Sequence, residues 1–420
     1  MIQPILKTPP PAAAARMRAA LAAAGYAGVL PLQRAEVKDV DLGGYTPWGK
    51  KLAVALRRTA AGEPVDVLTR VFLLGLAVPA ADAALALAES GLDPWLECGV
   101  LARDGDAVRA ACQLAPVRGL YLATDAGWHD PVGPRHVMGY SASTETLADA
   151  TIRRRVGRVL DLGTGCGTHA LFAAAHADEV VATDTNPRCL AYTRFNAALN
   201  GLANVSAREG DLFAPVAGER FDLIVSNPPF VISPDREFEY RDSGRPGDAL
   251  LQELLAAAPG LLTPGGFCQF TCEWAEREGE SAEERIAGWL AGSGCDAWVL
   301  TYRRTTPADH AEFWASALPG ESPADLAARM NRWIRWYAAE RIERIAVGLF
   351  VLRKRAAGRP WLRFDNAPRF REAAGEAIAG RFAAEEFLAA HPGPALLAAC
   401  GWPTGCSGSS RWPRPRTAGR

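Results

Sequence analysis

The chain has 420 residues, 49% apolar and 22% charged, with a formal net charge of −1. That balance excludes a disordered, weakly hydrophobic chain and a polycation that grips nucleic acid along its whole length. The length suits two or three domains, each able to bury its own core. Only five of the 46 basic residues are lysine. Such a bias reflects a GC-rich genome, so the arginine count by itself says little about partners.

The nine cysteines include no CxxC pair and the six histidines no HExxH. No disulfide framework and no metal site are expected, and reduced thiols point to a cytoplasmic protein. The amino-terminal apolar stretch is broken by Pro9, Pro10 and Pro11 and by Arg16 and Arg18, so it reads as an arm entering a helix rather than a signal peptide. The longest uncharged apolar run, residues 71–81, is too short to span a bilayer and contains Pro79, so no membrane partner is expected.

In chain order, residues 12–24 form an alanine-rich helix stopping at Gly25, and 52–59, 67–75 and 80–89 have helical apolar spacing. Asp104-Gly105 lies between the apolar runs 98–102 and 108–117, which signals a hairpin. Helices followed by a hairpin suggest a winged-helix-like docking domain within residues 1–118. Residues 41–118 carry eight basic and nine acidic side chains, and AADAALALAES, the segment that would enter a groove, has no arginine or lysine. A DNA reader needs phosphate contacts to hold register, so docking or dimerisation is expected there and DNA readout is not.

Residues 119–158 form a connector ending in a helix over 143–153. Strands over 156–162, 179–184, 205–209, 221–226, 266–272, 297–302 and 345–353 then alternate with helices over 168–175, 187–200, 250–262, 282–291 and 309–317. This is an α/β pattern, a parallel sheet with helices on both faces. It defines a domain over 159–354. Residues 355–402 form an extension with a strand-like piece and two helical stretches, and the Gly/Ser/Pro-rich tail, 403–420, is expected to be disordered.

The first strand of the pattern runs into Asp161-Leu-Gly163-Thr-Gly165-Cys-Gly167, and a helix follows. Glycines at a strand-to-helix turn let a ligand approach the backbone, and Asp184, at the end of the next strand, stands where an acid can bind ribose hydroxyls. The spacing is GxGxG, with Thr168 in the place of the third dinucleotide glycine. A nicotinamide site and a tight structural turn are the alternatives.

Ser226-Asn227-Pro228-Pro229-Phe230 follows the strand over 221–225, at the carboxyl end where sheet ligands bind. The tetrad suits a planar nitrogen whose lone pair is delocalised. Asn227 can accept one N–H through its side-chain oxygen and the Pro228 carbonyl can accept the other. A residue preceding proline is pushed into extended geometry, which fixes these oxygens. Phe230 can stack on the planar group beside Pro229. Holding such a nitrogen in line with an electrophilic methyl can contribute roughly 7–11 kcal/mol.

The segments VLDLGTGCGTHAL, VVATDTNP, GDLF and SNPPF together resemble the class I S-adenosylmethionine-dependent methyltransferases, over about half of the chain. The resemblance implies a seven-stranded Rossmann-like sheet and S-adenosylmethionine as cofactor. It assigns Asp161, Gly163, Gly165 and Gly167 to the methionine end, Asp184 to the ribose and Asp211 to the adenine amino group, with Asn227 also on the cofactor side. MGYSASTETLA resembles the segment such enzymes fold over the cofactor; an ordinary helix cap at Ser141 or Ser143 is the alternative.

Val231-Ile232 after the tetrad, and YRDSGRPGDALLQELLAAAPGLLTPGG beyond it, resemble the enzymes that methylate glutamine in peptide release factors. The ribosomal guanine enzymes usually have histidine after the aromatic. The preferred acceptor is therefore a protein glutamine. An exocyclic base nitrogen in RNA and a small natural product are the alternatives. The chain departs from the glutamine enzymes in its larger amino-terminal region and its continuation past the last strand. As a whole it resembles actinobacterial-type methyltransferases with an added amino-terminal domain. Finally, Arg329, Arg332, Arg335, Arg341 and Arg344 surround Trp333, Trp336 and Tyr337, which reads as a core-facing stripe with a charged outer face; contact with RNA phosphate or an acidic protein is the alternative.

Overall fold

The computed structural model describes residues 5–29, 48–126, 133–315, 321–367, 370 and 374–391, without the side chains of 48–51. The expected disordered tail, 403–420, and the second helical stretch of the 355–402 extension lie outside the described residues.

Helix α1 (Pro11–Ala23) opens with proline at its first position and stops where Gly25 takes a left-handed φ of 70°. Helices α2 (Trp48–Arg58) and α3 (Pro64–Leu68) follow, α3 running on as a π-turn over Thr69–Leu73. Next come the short strand β1 (Val78–Pro79), helices α4 (Ala80–Ala86) and α5 (Asp93–Glu97), and the hairpin of β2 (Leu101–Asp104) and β3 (Ala107–Ala110). The three strands form an antiparallel sheet in the order β1-β3-β2. Buried Tyr26, Phe72 and Trp95 share one apolar cluster with Val78, Leu101 and Val108 of this sheet, the Phe72 and Trp95 rings 5.4 Å apart.

The apolar run over 108–117 is not one strand. After Ala110 the chain leaves the first sheet, and β4 (Gln113–Val117) pairs instead with β5 (Leu120–Thr124). A continuous apolar run carries no mark of a change of partner. The new hairpin crosses residue 118, so the segment expected as connector begins inside it.

This hairpin docks on α8 (Pro187–Asn200) through two asparagines that act as a neighbouring strand would. Asn200 exchanges hydrogen bonds with the Tyr121 N–H (2.9 Å) and carbonyl (2.8 Å), and Asn196 with those of Ala123 (2.8 and 2.9 Å). The periods match: four helical residues rise about 6 Å and two strand residues about 6.6 Å. Around this seam Tyr192, Phe195 and Leu199 of α8 share one apolar cluster with Tyr26, Phe72 and Trp95.

Helix α6 (Ala142–Ala150) leads into the main sheet. Its strands are β6 (Val156–Leu162), β7 (Ala177–Asp184), β8 (Val205–Glu209), β9 (Phe221–Ser226), β10 (Leu262–Arg277), β11 (Cys295–Thr305), β12 (Ile342–Lys354) and β13 (Leu362–Asn366). They lie in the order β13-β11-β12-β10-β9-β6-β7-β8. The fold is Rossmann-like α/β, with two differences from expectation. An eighth strand, β13, is added at the edge by the carboxy-terminal extension. And β12 runs antiparallel to both β10 and β11. Alternation of strand and helix does not reveal strand direction. The buried run Ile345 to Leu352 reads as a central strand whichever way it points.

Between the strands lie α7 (Thr168–Ala173), α9 (Ala249–Leu261), α10 (Ala282–Leu290), α11 (Pro307–Trp314) and α12 (Pro323–Ala339), and α13 (Ala374–Ala390) closes the described chain. Among the described residues no helix is long and apolar enough to cross a membrane. On α12 the aromatic stripe faces the core. Trp333 and Tyr337 are fully buried and Trp336 half-buried; Arg332 lies on the exposed face and pairs with Asp235, but Arg329, expected on that face, is buried, where Glu321 and Glu237 pair with its charge.

Candidate active site

The sheet changes winding direction between β6 and β9, whose carboxyl ends therefore flank a crevice. Ser226 Oγ donates to the Leu162 carbonyl (2.7 Å), so the residues that follow, Asn227 and Gly163, emerge side by side.

On the β6 side, Gly163, Gly165 and Gly167 have φ of 68°, 56° and 91°, a region that L side chains rarely adopt. Their surroundings differ. A Cβ on Gly167 would lie 2.9 Å from Leu171 Cδ1 and 3.1 Å from the Thr193 side chain, so this glycine serves packing. A Cβ on Gly163 or Gly165 would meet nothing within 4 Å, so these two face open space. The loop is held from outside as well: Thr193 Oγ1 donates to the Gly165 carbonyl, and Asn196 Nδ2 to that of Cys166 (2.8 Å). Asn196 thereby joins the amino-terminal hairpin to the glycine loop.

Asp161 is 1% exposed. Its Oδ2 accepts from Thr164 Oγ1 (2.6 Å) and the Ala170 N–H (2.8 Å), while Oδ1 has no partner in the protein. Burial pushes its pKa up to about 7, against the opposing pull of those two donors. Asp184 accepts from the Gly165 N–H and the Asn186 N–H, each at 2.9 Å, and burial also raises its pKa. Asp211 sits beyond Gly210, whose N–H bonds the Asp184 carbonyl. It is largely exposed and ion-paired with Arg245 (2.8 Å), which comes from the segment after the tetrad.

On the β9 side, Asn227 is fixed at both ends of its amide. Nδ2 donates to Ser143 Oγ (3.1 Å), and Oδ1 accepts from Thr271 Oγ1 (2.7 Å). That leaves Oδ1 capacity for one further donor. Pro228 is buried, Pro229 is half-buried, and Phe230 meets Trp314 edge-on at 6.4 Å. Ser143 and Thr271 were not singled out as partners of the tetrad from sequence: they lie 84 and 44 residues away from Asn227; Ser143 was read only as a possible helix cap in the segment over 138–148, and Thr271 belongs to no motif. Ser141 caps α6, accepting from the Thr144 N–H (3.3 Å). The segment over 138–148 therefore supplies both a helix cap and a contact to the tetrad.

The crevice fits a cofactor with a cationic amino-acid end and a ribose. It offers a buried, unpartnered carboxylate oxygen at Asp161, glycines open to approach, and the acceptor pair of Asp184. Asp161, Gly163 and Gly165 would take the amino-acid end and Asp184 the ribose.

Residues 140–273 match the methyltransferase small domain family, and residues 50–111 match a family described as a domain of unknown function, DUF7059. The chain is similar to release factor glutamine methyltransferases: 39% identical over 149 residues to that of Xylella fastidiosa (strain 9a5c), covering 32% of this chain and 54% of the relative. To the Deinococcus radiodurans protein it is 41% identical over 146 residues, covering 32% and 52%. To that of Escherichia coli (strain K12) it is 28% identical over 161 residues, covering 35% and 58%. The chain thus spans about half the length of the curated relatives it matches. A solved methyltransferase from Pyrococcus furiosus aligns over 52% of this chain and 88% of its own, at 16% identity and a TM-score of 0.31. The match to the methyltransferase small domain thus covers residues 140–273, and on its amino-terminal side lies a region that matches a domain of unknown function.

Proposed function

We propose that this protein is an S-adenosylmethionine-dependent N-methyltransferase whose acceptor is the side-chain amide of a glutamine in a peptide release factor. The observation that carries the reading is Asn227, which stands beside the glycine loop with its amide locked by Ser143 and Thr271 and one acceptor site left on Oδ1. Similarity over the matched segment to release factor glutamine methyltransferases supports the choice of acceptor.

An amide nitrogen is a poor nucleophile because its lone pair is shared with the carbonyl. When bound, S-adenosylmethionine would supply a methyl group on a sulfonium sulfur, electrophilic enough to need no strongly basic partner, and the electron pair of the broken S–C bond would stay on the sulfur of the departing S-adenosylhomocysteine. Asn227 Oδ1 and the Pro228 carbonyl accept the two N–H groups and aim the nitrogen lone pair at that methyl. Pro229 and Phe230 flank the planar amide. As the new N–C bond forms the nitrogen becomes more acidic, and its N–H bonds to these oxygens strengthen, which favours the transition state over the ground state. The surplus proton leaves to solvent.

The test is incubation with labelled S-adenosylmethionine and a release factor, followed by mass spectrometry. One methyl on a glutamine is the expected result. Label transferred in lysate that survives protease and is lost to ribonuclease would instead support a base nitrogen in RNA. Unlabelled macromolecules with a labelled small amide or arylamine would support the third acceptor class.

A further inference from the structure

A buried polar circuit lies behind the tetrad, and the methyl-transfer chemistry above does not use it. Glu273 of β10 is 2% exposed. Its Oε2 accepts from the Ile232 N–H (3.0 Å) and lies 2.9 Å from His310 Nε2 of α11, and its Oε1 accepts from Trp314 Nε1 (3.2 Å). His310 Nδ1 lies 2.8 Å from Tyr337 Oη of α12, and that hydroxyl donates to the Ile232 carbonyl (2.8 Å). The circuit closes on one residue, holding Ile232 by both its N–H and its C=O, just past the aromatic end of the tetrad.

We propose that Glu273, His310 and Tyr337 are positioning residues that set the acceptor pocket, a proposal that rests on reading the tetrad as the methyl-acceptor site. Two observations point from the circuit to the pocket. First, Thr271 and Glu273 are alternate residues of β10, so they share one face of the strand. Thr271 fixes Asn227 and Glu273 fixes Ile232, so a single strand holds the segment at both ends. Second, Glu273 orients the Trp314 indole, while Arg241 Nη1 holds the Trp314 carbonyl (2.8 Å). Trp314 in turn meets Phe230 edge-on, and Arg241 is paired with Asp242, whose backbone bridges to Phe230.

Burying a carboxylate, an imidazole and a phenol brings little net stability, since apolar side chains of the same volume often do as well. What a buried set of hydrogen-bonded polar groups adds is a defined orientation. Here that orientation is imposed on the segment carrying Phe230.

The experiment compares Glu273→Leu, Glu273→Gln and Tyr337→Phe with wild type, reading kcat and KM on a release factor, S-adenosylhomocysteine affinity and melting temperature. Misplacement by about 1 Å can cost roughly 100-fold in rate, so Glu273→Leu is expected to lose kcat on that scale. Glu273→Gln, which keeps one acceptor oxygen, is expected to recover part of it. S-adenosylhomocysteine affinity is expected to stay within about twofold, because the cofactor side of the crevice is untouched. Should Glu273→Leu fail to fold, Tyr337→Phe removes one hydroxyl and carries the same expectation at smaller size. Lower melting temperatures with wild-type kcat in every folded variant would overturn the proposal and leave the circuit a structural one. A wild-type protein that binds S-adenosylhomocysteine but methylates no acceptor would overturn the reading of the tetrad, and the proposal with it.

Discussion

The two sides of the crevice are built in opposite ways. On the proposed cofactor side, β6 and β7 turn directly into the residues that line the crevice. Asp161 bonds Thr164 and Ala170, and Asp184 bonds Gly165 and Asn186, all within nineteen residues of chain. On the acceptor side, Asn227 is held from 84 and 44 residues away, and Ile232 from 41 and 105. The first side is a local device of a strand, a glycine turn and an acid. The second is a joint between β9, β10, α6, α11 and α12. A substitution on the first side is expected to show in cofactor binding, and one on the second in turnover.

The sharpest test of that division is Asn227→Ala. Turnover is expected to fall by roughly 100- to 1,000-fold, the scale seen when one transition-state hydrogen-bond partner is removed, while S-adenosylhomocysteine still raises the melting temperature by mass action. Asn227→Asp retains an acceptor oxygen and is expected to keep part of the activity. If aspartate equals or exceeds wild type, with a rate that rises through a carboxylate pKa, the residue acts as a general base and the positioning account fails.

Asp161 makes the cofactor side sensitive to pH. Its pKa of about 7 in the fold exceeds the ordinary 3.8, so between those values the native state holds a proton that the unfolded state has lost. Stability of the ligand-free protein is therefore expected to fall as pH rises from about 4 to about 7. Asp161→Asn is expected to flatten that slope. A cationic ligand group beside Oδ1 favours the carboxylate, so S-adenosylhomocysteine affinity is expected to rise over the same range. Calorimetric melting with and without S-adenosylhomocysteine at several pH values checks both, and an affinity independent of pH would remove Asp161 from the ligand site.

Asn196 tests whether the amino-terminal hairpin belongs to the cofactor side. Alanine there strands the Ala123 N–H and carbonyl and the Cys166 carbonyl together. A loss of about 3 kcal/mol is expected from urea melts, with weakened S-adenosylhomocysteine binding because the Cys166 carbonyl borders the glycine loop. Unchanged affinity in the folded variant would show that the hairpin supports the fold alone.

The glycines give a smaller contrast. Gly167→Ala meets Leu171 and Thr193 at a φ of 91° and is expected to cost about 1–3 kcal/mol of stability. Gly163→Ala points into open space, so its strain of about 1 kcal/mol is accompanied by loss of ligand binding. Equal effects of the two on S-adenosylhomocysteine affinity would erase the distinction. The smallest effect belongs to the Asp211–Arg245 pair, whose carboxylate is 62% exposed. Asp211→Asn is expected to leave the melting temperature of the ligand-free protein nearly unchanged, since Arg245 keeps its pair with Glu253 and exposed pairs contribute little.

What the sequence determined by itself follows from short-range physics. The strand–glycine–helix turn, the acid after β7, α8 over Pro187–Asn200 and the tetrad after β9 were legible because each is specified by neighbours in the chain: hydrophobic period, caps and glycines that relieve backbone strain. The core-facing stripe of Trp333 and Tyr337 was legible for the same reason. The tertiary structure alone decided which way β12 runs, that β13 extends the sheet, that the run over 108–117 divides between two sheets, and that Ser143 and Thr271 hold Asn227. A serine or threonine on a helix or strand carries no local mark of its partner, and a central strand is equally apolar in either direction. Those choices are made by the burial of whole faces against one another, and they appear only when distant segments meet.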